Sequence, residues 1–424
     1  MHRPAITPEL DPSRFPSRSA PAARAIAALA LLPLLASCGG SDYCFHCGAY
    51  PPVETSSALV AADFNGDGHA DVVQTNSVQN GQEPDPANLK AYLSTAAGMY
   101  AAPALTPDGD DPLYLASADL NGDGLPDVVS ASAEDGALGI FFNNKLSPGT
   151  FNTPLVLASP GVSQVAVGDM NGDGLADLVA ADFNVSLFLQ TSPGTFASPI
   201  SLYPGGANWV AVGDLNGDGS PDVALTDAVG VKVLLHTGAA AATTFAAPVA
   251  VFTQTANLNL AGANLIAIAD VNGDGLNDLV ITDPGPTGGA APTVNILLQD
   301  AAHPGQFLAA VSYAVAVHSL AQSIVVTDLN GDGHPDIVIG GTHAVSILLQ
   351  DPAHPGLFLA ASNLAAAGAD QVAVADVNGD GLPDIVTANG PTHPVVNGVT
   401  TTHPGVLLQS AAAPGTFAAL ADFP

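Results

Sequence analysis

The chain has 424 residues, 47% of them hydrophobic, enough for a sizeable core and too apolar for a disordered acidic tail. Lys+Arg number 7 against Asp+Glu 39, a formal charge of -32, which argues against nucleic acid or anionic lipid headgroups as partners and makes cations the natural counterpart. Length alone would allow two or three ordinary domains, but a closed repeat array can use the whole chain as one.

Four of the seven basic residues, Arg3, Arg14, Arg18 and Arg24, precede an apolar run from Ala25 to Leu35, leaving Lys90, Lys145 and Lys232 for all that follows. A basic region, a short apolar stretch and small residues are the layout of an export signal, and the run is too short to cross a bilayer comfortably. Leu35-Ala36-Ser37-Cys38 resembles the lipobox of bacterial lipoproteins. The resemblance implies cleavage of residues 1–37, acylation of Cys38 and attachment to the membrane through that lipid only, with Gly39 favouring the outer membrane. Residues 38–56 read as a tether. Within it Cys44 and Cys47 form C-F-H-C, which suits a small disulfide or free thiols in an exported chain. With only His46 beside them they make a poor metal site, and Gly48 after Cys47 argues against a haem link.

From residue 57 to 424 the chain repeats itself. D-x-N-G-D-G-x-x-D occurs seven times, starting at Asp63, Asp119, Asp169, Asp214, Asp270, Asp328 and Asp376, spacings of 45 to 58 residues. That period suits propeller blades or solenoid turns. A short apolar segment ends at each first Asp, as in SALVAAD or NLIAIAD, and another opens on each last Asp, as in DVVQTN or DLVITD. The acidic string is therefore a loop between two buried strands. A third strand follows, for example VNILLQD, then a turn often spelled Pro-Gly, then a fourth strand opening on Phe or Tyr. Pro148-Gly149, Pro193-Gly194, Pro304-Gly305, Pro355-Gly356 and Pro414-Gly415 mark these turns. The expected fold is all-β: a seven-bladed propeller of four-stranded antiparallel blades. A solenoid is the rival, disfavoured because its end repeats should be atypical caps, whereas the first and last units here look like the others. An EF-hand array is disfavoured too, since no helical period flanks the loops and position twelve lacks its Glu.

Strand, acidic nonapeptide and apolar pair together resemble the FG-GAP/VCBS repeat family, found also in the propellers of integrin alpha chains. The resemblance covers roughly residues 57–424 and supports the same fold. For function it is permissive.

Calcium takes six to eight oxygens, so a short loop must turn carboxylates and carbonyls inward. Position one offers Asp63, Asp119, Asp169, Asp214, Asp270, Asp328 and Asp376; position three Asn65, Asn121, Asn171, Asn216, Asn272, Asn330 and Asn378. Position five offers Asp67, Asp123, Asp173, Asp218, Asp274, Asp332 and Asp380; position nine Asp71, Asp127, Asp177, Asp222, Asp278, Asp336 and Asp384. Position seven, which would give only its backbone carbonyl, is His69, Leu125, Leu175, Ser220, Leu276, His334 or Leu382. Glycines at positions four and six permit the turns. Position two is always apolar and is expected to plug the base of the blade. Up to seven Ca²⁺ are expected, which would bring the formal -32 to -18. The plainer reading of one such loop, an Asx-rich turn without an ion, weakens when three carboxylates converge seven times.

Calcium loops and Pro-Gly turns should share one face of the propeller. The opposite face carries the longest connections, Gln74 to Asn88, Thr282 to Thr293 and Ala388 to Gly405, and is the expected ligand face. Tyr114, Asn208, Trp209 and Tyr313 are placed on or near it; Trp209 reads either as an anchor for a glycan or protein, or as filler between blades. His303, His354, His393 and His403 sit in A-H-P or T-H-P turns. No G-x-S-x-G, H-E-x-x-H or phosphate loop is present. The sequence thus points to a non-catalytic binding or adhesion protein of the bacterial surface or periplasm, with a protein or glycan ligand. Two alternatives are a propeller enzyme acting on polysaccharide, a lyase or hydrolase, and a structural part of an envelope complex.

Overall fold

The computed structural model describes residues 54–422 apart from 56–57, 76, 79–87, 97–98, 108–111, 134, 238–243, 254–264, 285–291, 317–320, 342, 367–368, 370, 389–394, 397–398 and 401–403. The export signal, Cys38, Cys44, His46, Cys47, His393 and His403 lie outside the described residues, as does most of the three long connections.

Seven four-stranded antiparallel sheets follow one another along the chain, each built from its own stretch of sequence. Their first strands are Leu59–Ala62, Pro112–Ala118, Gln164–Gly168, Trp209–Gly213, Ile266–Ala269, Ala321–Thr327 and Val372–Ala375. Each pairs with a second strand that opens on the last Asp of the acidic motif, from Asp71–Thr75 in blade 1 to Asp384–Thr387 in blade 7. The second strands are buried along their whole length, which suits their Val, Ile and Leu content: each lies mid-blade with a neighbouring blade on either face. No α-helix occurs among the described residues.

The core is divided into seven apolar clusters, one for each pair of adjacent blades. Phe64, Val73, Leu115 and Phe141 join blades 1 and 2, while Val72, Val377, Val386 and Val406 join blades 7 and 1. This last cluster closes the ring. Blade 7 takes its outer strand, Ala421–Asp422, from its own end of the chain, so closure rests on side-chain packing between terminal blades, with no exchanged strand. The position-two residues Phe64, Leu120, Met170, Leu215, Val271, Leu329 and Val377 are all buried and belong to these clusters, so the plug sits between blades.

The fourth strand departs from expectation at its start. Phe151, Phe245, Phe307, Phe358 and Phe417 each make one isolated bridge to the residue across the turn, and the strand proper begins several residues later. In blades 1 to 4 a proline, Pro103, Pro154, Pro199 or Pro248, intervenes and has no N–H for the ladder. The Pro-Gly turns hold as expected, with Gly149, Gly194, Gly305, Gly356 and Gly415 at φ between 72° and 82°.

Candidate calcium loops and the axial channel

All seven acidic loops adopt one conformation. The first glycine lies at φ 73° to 76° and the second at 84° to 91°, a region that costs an L-residue roughly 1–2 kcal/mol. Position one gathers the loop: in the first copy Asp63 Oδ1 accepts from the Gly66 and Asp67 N–H groups at 2.7 and 3.0 Å, and Oδ2 from Gly68 at 2.8 Å. Asn65 Oδ1 accepts from the Asp67 N–H at 2.8 Å, and Asp67 Oδ1 from the His69 N–H at 2.9 Å. The same bonds recur in blade 4 around Asp214, Asn216 and Asp218 and in blade 7 around Asp376, Asn378 and Asp380.

Position nine behaves differently. Its carboxylate is fully buried in every copy and staples three strands. Asp222 Oδ2 accepts from the Leu215 N–H at 2.7 Å, and Oδ1 from the His236 N–H, just past the third strand, at 2.6 Å. Asp71, Asp127, Asp177, Asp278, Asp336 and Asp384 make the equivalent pair of bonds. Burial pushes all seven up to about 6; backbone N–H donors pull the other way, and the position-five carboxylate nearby adds to the rise.

These residues suit a hard cation by type. Each loop brings three carboxylates and an amide oxygen, and the chain beyond Arg24 supplies only three Lys to balance them. In four loops the position-three amide turns its Nδ2 toward the position-five carboxylate, at 3.0 to 3.1 Å, so a positive dipole already sits between these donors. As arranged, no group of three or more His, Cys, Asp or Glu among the described residues is drawn around one centre. The loop is instead closed by its own amides, which use one lone pair on most carboxylate oxygens and leave others for an ion.

Position seven is less free than its variety suggests: Leu125 Cδ2 would lie 3.4 Å from a Cβ placed on Gly66 of the preceding blade. The sequence reading also missed a recurrent residue just after the third strand: Ser94, Asn143, Gln190, His236, Gln299, Gln350 or Gln409. Gln409 shows its use. Nε2 donates to Pro383 O in its own loop and to Leu329 O in the preceding blade, and Oε1 accepts from Gly415 N in the Pro-Gly turn. The repeated Gln after a Leu-Leu pair was the available signal. His236 takes this place in blade 4, buried, with neither ring nitrogen hydrogen-bonded, packed edge to face on Phe245.

The aromatic residues assigned to the ligand face are structural. Trp209 is buried at the axis: its Nε1 donates to Ile266 O at 3.1 Å, and its ring meets Tyr114 of blade 2 edge to face, centroids 5.2 Å apart. Trp209 thus fills space between blades near the axis and does not stand on the loop face. Tyr313 packs on Phe358 of blade 6 and accepts that residue's N–H at 3.0 Å. Asn208 remains exposed. His303 and His354 are exposed turn residues bonded to Asp300 and Asp351 at 2.7 and 2.8 Å.

Fold and loops together define a repeat-built seven-bladed β-propeller with one acidic, amide-closed loop per blade. An FG-GAP-like repeat matches residues 119–180, 169–225, 214–281, 270–339 and 328–387, and the chain belongs to that family. No curated protein matches the sequence. Among solved structures, the chain is similar to a protein from Bacteroides uniformis provisionally named a 6-phosphogluconolactonase, at 13% identity and TM-score 0.52, covering 73% of this chain and 85% of that one. A protein of the same provisional name from Bacteroides fragilis matches at 18% identity and TM-score 0.51, covering 73% and 84%. A lectin from Agrocybe aegerita that recognises non-reducing terminal N-acetylglucosamine matches at 21% and 0.49, covering 74% and 80%. At these identities the likeness is one of fold alone.

Proposed function

We propose that the protein is a calcium-stabilised, lipid-anchored binding or adhesion protein of a bacterial envelope, presenting its non-calcium face to a protein or glycan. The observation that carries the calcium part is the sevenfold acidic loop, whose charge three Lys cannot balance. Each ion would take oxygens from positions one, three, five and nine and the position-seven carbonyl, and would neutralise carboxylates that burial now disfavours. The ions contribute stability, and the propeller contributes a rigid base for loops. The anchor rests on the lipobox-like run ending at Cys38.

The ligand face is supported by exposed apolar side chains on connections opposite the acidic loops. Phe183 and Val229, in the turns between second and third strands of blades 3 and 4, and Leu113, at the start of blade 2, are 67%, 58% and 46% exposed. Glycan and envelope-protein arrays probed with the calcium-loaded protein test this reading, run beside polysaccharide turnover assays. Binding weakened by Phe183→Ser and Val229→Ser, without turnover, is the expected result. Polysaccharide cleavage at a steady rate would point to an enzyme instead.

A further inference from the structure

The first strands of the seven blades ring the axis, and among the described residues each is the edge strand of its sheet. The other edge turns backbone N–H and C=O groups inward. A cavity of about 260 Å³ lies there, lined from blades 1, 2, 4, 6 and 7. Tyr114 and Trp209 lie at or near the starts of their strands, so this aromatic pair forms a floor at the end away from the acidic loops.

That floor is braced. Trp209 is tied to blade 5 through Ile266 O, and Gln371 Nε2 of blade 7 reaches Leu113 O of blade 2 at 3.0 Å. Gln164 Oε1 holds the Val210 N–H at 3.0 Å, while its Nε2 donates to Val165 O at 3.1 Å. A site held by such contacts needs little reordering to bind.

The lining contains no Asp, Glu, Lys, Arg or His. An ion would be buried there without a partner, at a cost of several kcal/mol, and a chain of charge -32 repels anions besides. A wholly apolar ligand would bury polar lining groups such as the Ser117 hydroxyl without answering them. Hydroxyl groups both donate and accept, so they can answer an edge on which donors and acceptors alternate. The C–H face of a ring can rest on the aromatic floor.

We propose that the axial cavity binds one uncharged, hydroxyl-rich ring of hexose size. This site is separate from the loop face of the proposed function and stands or falls without it.

Trp209 is the only tryptophan in the chain, so intrinsic emission reports directly from the cavity floor. D-glucose, D-galactose and D-mannose are titrated into the full exported chain in calcium, with D-glucuronate as the charged comparison. At least one neutral sugar should give a saturable change in emission, with glucuronate about tenfold weaker or more. Ala373→Phe, which fills the cavity from blade 7, should abolish the change while any loop-face binding persists. Ser117→Ala adds no bulk, removes a hydroxyl and should weaken binding severalfold; it carries the test if Ala373→Phe does not fold. No saturable change with any of the three sugars up to about 100 mM overturns the proposal, as does undiminished affinity in both variants.

Discussion

The Tyr100 hydroxyl lies 3.1 Å from the backbone carbonyl oxygen of Val377, joining the outer part of the first blade to the acidic loop of the seventh. The same hydroxyl lies 2.8 Å from Ala70 O in its own blade. One side chain thus spans the seam where the ring shuts, beside the Val72, Val386 and Val406 cluster. Because no strand is shared between the two blades, this seam depends on such contacts. Tyr100→Phe removes the hydroxyl and leaves two carbonyls with less to bond, and is predicted to cost about 1–2 kcal/mol. Amide exchange should quicken first in blades 1 and 7. Uniform exchange across all blades in the variant would contradict this placing of the weak point.

Positions nine and five should separate on mutation. Asp222→Ala strips the acceptor from two buried N–H groups, Leu215 and His236, and is predicted to destabilise by roughly 2–5 kcal/mol with or without calcium. Asp218→Asn sits on an exposed part of the same loop and should leave the metal-free melting temperature nearly unchanged while lowering the response to calcium. Equal effects of both substitutions in EDTA would refute the division of labour.

The buried carboxylates also set a pH dependence. Their folded values stand near 6 against an ordinary 3.8, so between those limits the folded chain binds more protons than the unfolded one. Their contribution is complete below about pH 4 and is lost as pH rises through 6. Without metal, the melting temperature should therefore be higher at pH 5 than at pH 7.5. With calcium the order should reverse, because the ion binds the deprotonated form. Thermal melts at the two pH values, in EDTA and in calcium, check both signs.

Gln409 offers a test of coupling between blades. Its amide serves its own loop, its own turn and blade 6, so Gln409→Ala is predicted to cost more than a single ordinary hydrogen bond, about 2–3 kcal/mol by denaturant melts. A loss within about 0.5 kcal/mol would show that water replaces the amide at little cost.

The blade architecture was legible because each unit repeats its own signals: an apolar strand, Asx-Gly punctuation, a second apolar strand. Seven copies average out the ambiguity of any one. The isolated Phe bridges were harder to see; after Phe151 and Phe245, Pro154 and Pro248 interrupt a ladder that pattern alone would continue. Position nine was read as one more metal donor, yet Asp222 is first a staple for backbone amides. Nothing in its local sequence separates the two roles, because the His236 N–H reaches it from another strand. Trp209 was equally undecided: its partner Tyr114 comes from two blades earlier, a meeting that only the closed ring brings about.

The central claim is that cations complete these seven loops and hold the ring. Calorimetric titration of the metal-free protein with calcium, followed by melting with and without excess EDTA, tests it most directly. Several ions per chain should bind, up to the seven loops available, with EDTA lowering the melting temperature by many degrees. A chain that takes up no calcium at millimolar concentration, and melts identically in both conditions, contradicts it.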